Sequence, residues 1–177
     1  HIPVENPNDF LESAMAGLME RWHKRDDKAC WNDLQQYMLK NKDSNVIAIA
    51  QTGMGKTEAG FLWLGNHKGF FTLPLKSTIN AIYARVIDDI VLENKESRVG
   101  MLHSDTFVYY LEQRDQDGSY GESYDSSLDC YYTKTKQLSL PLTICTLDQL
   151  FTFVFRYRGF EQKLATLSYS KVIIDEV

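Results

Sequence analysis

Five apolar residues, Val46-Ile-Ala-Ile-Ala50, run straight into Gln51-Thr-Gly-Met-Gly-Lys-Thr57, and this junction constrains the fold more than any other stretch of the chain. A short, continuously apolar, β-branched run is the pattern of a strand covered on both faces. Gly53 and Gly55 permit backbone angles that turn successive N–H groups inward around a phosphate chain. Lys56 adds a mobile positive charge for the outer phosphate oxygens, and Thr57 offers a hydroxyl to Mg²⁺. Glu58 to Leu64 reads as a helix whose unpaired N-terminal amides aim at the same point. The strict phosphate-loop pattern has Gly where this chain has Ala50; the strand-to-helix context offsets that departure.

The rest of the chain alternates in the same way. Segments 46–50, 70–73, 99–103, 142–145 and 171–174 read as parallel strands of one sheet, with residues 53–57 at its carboxyl edge. Asn8 or Asp9 is placed to cap a first helix with Phe10, Leu11, Ala14, Met15, Leu18, Met19 and Trp22 on its apolar stripe. A second helix carries Trp31, Leu34, Met38 and Leu39. Ser77 is expected to cap a third, with Ile79, Ile82, Tyr83, Val86 and Ile90 inward, and another runs from Leu147 to Phe155. Between Glu112 and Cys130 six acidic residues accompany one basic residue, Arg114. That stretch is expected to be exposed, mobile or irregular and away from the phosphate loop, with Tyr131 and Tyr132 packing back, because its charge repels phosphates.

Composition bounds the remaining possibilities. With 177 residues, 44% hydrophobic and 24% charged, the chain suits one globular domain with a core that needs no staple. A net charge of −5 argues against a small basic protein that coats nucleic acid, while leaving room for a local basic groove. Cys30, Cys130 and Cys145 are scattered and odd in number, which reads as reduced thiols in a cytoplasmic protein. The apolar runs are too short to cross a membrane.

Asp175 and Glu176 follow Val-Ile-Ile at the end of the last predicted strand. Beside a phosphate loop, one carboxylate can hold Mg²⁺ and the next can act as general base toward a water. The assignment is Thr57 and Asp175 for the metal, and Glu176 with Lys56 for catalysis. The chain opens on His1 and stops at Val177 directly after this pair. Termini usually lie in weakly packed segments, so the expectation is a piece of a longer enzyme, incomplete at its C-terminus.

Four blocks together carry a resemblance. They are Ala50-Gln-Thr-Gly-Met-Gly-Lys-Thr-Glu-Ala59, Phe71-Thr-Leu-Pro-Leu-Lys-Ser-Thr-Ile-Asn-Ala-Ile-Tyr-Ala-Arg85, Thr143-Ile-Cys-Thr-Leu-Asp-Gln-Leu150 and Asp175-Glu-Val177. In order and spacing they resemble motifs I, Ia, Ib and II of the first RecA-like motor domain of superfamily 2 helicases. The long second block narrows the resemblance to the CRISPR-associated helicase–nucleases of the Cas3 family. It implies an α/β, RecA-like P-loop NTPase domain with a mostly parallel sheet flanked by helices over residues 31–177, preceded by a lead-in and helix over 1–30. The implied activity is an ATP-dependent DNA helicase or translocase of antiviral defence, with ATP and Mg²⁺ as cofactors.

The resemblance also implies roles residue by residue. Thr52, Gly53, Met54, Gly55, Lys56, Thr57 and Glu58 belong to the nucleotide loop, and Gln35, or else Gln36, sits 21 residues before Lys56, about where the adenine-reading glutamine is placed. Pro74, Lys76, Ser77, Asn80, Thr146, Asp148 and Gln149 match positions that touch the backbone of single-stranded DNA. Arg85 fits either that surface or a structural charge. The implied partners are a second RecA-like domain and an HD nuclease domain of the same protein, together with the CRISPR surveillance complex (Cascade). No adjacent His-Asp pair occurs here, so the nuclease centre is expected outside this chain, and this piece alone is expected to be inactive. In this superfamily the strand after motif II lies between the motif I and motif II strands, a place that no residue up to Val177 is expected to fill. The readings from other classes are another DNA or RNA helicase, a non-catalytic interaction module and a small-molecule kinase.

Overall fold

The computed structural model describes residues 7–117, 122–156 and 159–176, without the side chains of 113–128. Four strands form one all-parallel sheet: β1 (Gly69–Thr72), β2 (Val99–Leu102), β3 (Leu142–Cys145) and β4 (Lys171–Ile174), in spatial order β2-β3-β1-β4. The pleat sorts their side chains. Phe71, Met101 and Ile144 meet on one face, and Phe70, Leu102 and Cys145 on the other.

The first face carries the larger core, under α1 (Leu11–Arg25), α3 (Lys56–Leu64) and α4 (Lys76–Arg85), which continues into a π-helical turn, Val86–Ile90. The predicted inward residues Ile79, Tyr83, Val86 and Ile90 are buried there. α2 (Asp33–Lys40) packs on α3, and a one-turn helix, α5 (Lys95–Arg98), leads into β2. On the second face, Leu150 of α8 (Leu147–Leu150), which runs on as a 3₁₀ turn over Phe151–Phe155, and Leu167 of α9 (Phe160–Ser168) pack on Phe70, Cys145 and Val172. Helices on both faces of a parallel sheet make the expected α/β class. Among the described residues no helix is long and apolar enough to cross a membrane.

Three expectations are corrected. Residues 46–50 are not a strand: Ile47 and Ile49 are 95% and 98% exposed. Strands exist by pairing, and among the described residues no backbone hydrogen bond ties this segment to the sheet. Its Val46 and Ala48 instead face Val172, Ile173 and Ile174 of β4 across a cleft of about 200 Å³. The acidic stretch is helical, not irregular: α6 (Thr106–Asp117) and α7 (Glu122–Lys136) occupy it, while residues 118–121 lie outside the described residues. The anchors sit at the outer ends of this pair, where Tyr110 and Tyr131 are buried. α7 packs on β2, the sheet edge opposite β4, so it stands away from the phosphate loop as expected.

The caps are the third correction. Phe10, not Asn8 or Asp9, holds the α1 cap position, and buried Asn8 spends its amide on the carbonyls of Gly65 (3.2 Å) and His67 (2.6 Å). Leu75 precedes α4, leaving Ser77 in its first turn instead of at its cap. Residues 1–6 of the expected lead-in lie outside the described residues, and the helix after it shares one core with Phe61 and Leu64 through Leu11, Met15 and Leu18.

Candidate nucleotide cleft and DNA-facing edge

Gly53 and Gly55 adopt φ of +86° and +71°, the left-handed region that favours glycine. A Cβ at Gly55 would also press on the Gln35 amide, which would have to shift. Gln35 is buried. Its Oε1 accepts from the Asn32 amide (3.0 Å), its own N–H donates to the Asn32 side chain (3.0 Å), and Nε2 donates to the Gly55 carbonyl (3.4 Å). Asn32 adds a hydrogen bond from Nδ2 to the Met54 carbonyl (3.0 Å). The capping box of α2 therefore clamps the phosphate loop. Asn32-x-x-Gln35 has the spacing of a capping box, which signals a helix start, but nothing in the sequence placed Asn32 on the loop.

From Gly55 the chain enters α3, whose Gly60 lets the helix lie close on the sheet: a Cβ there would stand 3.2 Å from Ile173 and 3.4 Å from Phe71. This close approach brings the loop to β4. Lys56 and Asp175 line the same cleft, with Ala59, Gly60, Ile173 and Ile174. Asp175 is anchored through its N–H to the Thr72 carbonyl (3.0 Å), and its Oδ1 accepts from the Glu176 amide (3.0 Å). Glu176 takes a φ of +60°, unusual for a residue with a side chain. Neither Lys56 nor Asp175 has an ion-pair partner among the described residues. Thr57 is half-buried at the start of α3, and Thr52, Gly53 and Met54 are exposed. Glu58 is buried beside the loop with its carboxylate on the Arg85 guanidinium, so Arg85 is a structural charge here. Val177 lies outside the described residues.

The loops after β1, β2 and β3 leave the same carboxyl edge of the sheet. Pro74 in the first of them is exposed, as are Lys76 and Ser77 in the first turn of α4, and Lys76 Nζ donates to Asp105 Oδ2 at 2.8 Å. Asn80 Oδ1 meets Nε2 of buried His103 at 2.8 Å, while His103 Nδ1 accepts from the Asp105 amide at 3.1 Å. Those two partners select a neutral imidazole with its proton on Nε2, and burial holds its pKa below the ordinary histidine value. Thr146 follows β3; its buried hydroxyl has no partner among the described residues, and Asp148 and Gln149 lie beside it. Nothing in the sequence placed His103 against Asn80. No group of three or more metal-ligating side chains occurs among the described residues, and its place is to hold Asn80.

No family model and no solved structure matches the chain. A CRISPR-associated nuclease/helicase Cas3 of Methanothermobacter thermautotrophicus is 30% identical over 134 residues, 75% of this chain and 15% of that protein. A putative CRISPR-associated nuclease/helicase Cas3 of Methanocaldococcus jannaschii is 27% identical over 153 residues, 81% of this chain and 20% of that protein. The chain thus spans a fifth or less of the length of these curated relatives. The resemblance to the Cas3 nuclease/helicases is shown over three quarters or more of this chain.

Proposed function

We propose that this chain supplies one wall of the ATP site, and part of the DNA track, of an ATP-driven DNA helicase or translocase acting in CRISPR defence. The observation that carries the reading is the cleft shared by Lys56 and Asp175, at the sheet edge from which the Lys76 and Thr146 loops also leave. The residues suit Mg²⁺ and ATP: left-handed glycines, an N-terminal helix turn, a cation and a carboxylate, neither of the last two ion-paired among the described residues. Bound Mg²⁺–ATP would supply the scissile phosphoryl group and a cation over its charge.

The chain's own groups then divide the work. The loop amides and Lys56 bind and orient phosphate oxygens. Thr57 and Asp175 would hold the metal, and Glu176 takes a proton from water at its carboxylate. Gln35 belongs to the adenine side in this reading, and also fixes the loop through Gly55. The Thr146 hydroxyl, which has no partner among the described residues, with Lys76, Ser77 and Asn80, suits the phosphates of one DNA strand. A second RecA-like domain, an HD nuclease domain and the Cascade surveillance complex are the partners this reading assigns.

The test is phosphate release by the full-length protein with single-stranded DNA. Glu176→Gln should abolish turnover yet keep ATP binding, since the amide keeps the shape and accepts no proton. Lys56→Ala should weaken nucleotide binding itself. DNA-stimulated turnover that survives both changes would place the ATP site elsewhere.

A further inference from the structure

The C-terminal end of α1 reads Arg21-Trp-His-Lys-Arg25, which sets Arg21 and Arg25 four residues apart on one helical face. α1 packs on the π-helical turn that follows α4, and this brings Arg85 against them. Arg21, Arg25 and Arg85 line one cavity of about 130 Å³, together with Trp22, Asp89 and Ile90. Like charges at this helical spacing repel, so the cluster is unfavourable on its own.

The arginines are unequally engaged. Arg21 donates to the Asp89 carbonyl, and Arg85 donates to the Glu58 carboxylate. Arg25 is exposed, with neither hydrogen bond nor ion pair among the described residues. Asp89 is the one carboxylate in the cavity wall and Glu58 offsets Arg85 from outside it, so Arg21 and Arg25 are two positive groups facing one negative. The wall also contains the π-helical turn, closed by a hydrogen bond from the Val91 amide to the Val86 carbonyl (2.7 Å). Such turns are rare and concentrate at functional sites. Here the turn carries the Asp89 carbonyl to Arg21.

The geometry points to a second anion site, separate from the phosphate loop, in which Arg21, Arg25 and Arg85 take one phosphate group. Planar guanidinium forks match phosphate oxygens in pairs, which a single lysine does not. The phosphate could belong to a nucleic-acid backbone or to a phosphorylated small molecule. Both present the same oxygens.

The experiment uses the full-length protein carrying Lys56→Ala, so that the phosphate loop is not the reporter. Inorganic phosphate is titrated and its ³¹P line broadening followed. Adding Arg25→Ala should weaken binding by about tenfold, the worth of one charge-assisted hydrogen bond. Arg25→Lys should lose less, and Asp89→Asn should tighten binding. Arg25 is exposed and makes no other bond among the described residues, so its removal leaves the fold intact. Phosphate binding that ignores Arg25→Ala, or that weakens on Asp89→Asn, overturns the site. Displacement of phosphate by oligothymidylate identifies a nucleic-acid backbone as the source, and displacement by ADP but not oligothymidylate identifies a small molecule.

Discussion

Glu58 carries its carboxylate on a part of α3 where the side chain is 3% exposed, and the half-exposed Arg85 guanidinium balances it. Removing the arginine leaves a buried charge unpaired. Arg85→Ala should therefore destabilise the protein by about 1–3 kcal/mol, and adding Glu58→Gln should recover most of that loss. Urea unfolding of both variants checks it; a double variant as unstable as the single one would show that the ion pair is not the cause. His103 makes a pH-dependent prediction. Burial lowers its pKa in the folded state, so between the folded and unfolded values the unfolded chain binds more protons. Stability should be level above about pH 6.5, the unfolded value, and fall as pH drops below it. His103→Gln should flatten that slope. Equal slopes in wild type and variant between pH 7.5 and 5.5 would assign the effect to other groups.

Among the elements, α7 is held to β2 through Tyr131. Its hydroxyl donates to the Val99 carbonyl and lies 2.8 Å from the Tyr83 hydroxyl and 3.4 Å from that of Tyr110. Tyr131→Phe keeps the ring and removes the shared hydroxyl, leaving buried partners unsatisfied. A loss of about 1–2 kcal/mol in urea unfolding is expected; an unchanged midpoint would mean that the hydroxyl cluster adds nothing. These tyrosines also show what was legible. Their return to the core could be read, because two aromatics after an acidic run need burial. The helices between them could not, because net charge reports exposure and says nothing of backbone periodicity. The strands β1 to β4 were legible within a residue or so, each an apolar run set off by polar or turn residues. Val46 to Ala50 has that same pattern and is no strand, since pairing depends on a neighbour and not on composition. The loop glycines were legible from their spacing, whereas the Asn32–Gln35 clamp depends on contacts across 20 or more residues.

At the scale of the whole molecule, the groups proposed for ATP chemistry line one side of a cleft open to solvent. Lys56 and Asp175 share it, while exposed Glu176 and half-buried Thr57 stand nearby in sequence. In-line phosphoryl transfer also needs cations over the developing charge, and an arginine from a facing element can be worth about 10³–10⁵ in rate. Arg85 is ion-paired with Glu58, whose charge offsets its own. In the proposed function this arginine is supplied by a second RecA-like domain. Solvent around a half-site also weakens each electrostatic contact that the loop makes. The 177-residue chain alone should accordingly hydrolyse ATP hardly at all, with or without single-stranded DNA, whereas the full-length protein should respond to DNA. Circular dichroism establishes whether the isolated chain is folded, and steady-state phosphate release then reads its activity. A folded chain that turns over near the full-length rate, and loses that turnover on Lys56→Ala, would show one wall to be sufficient.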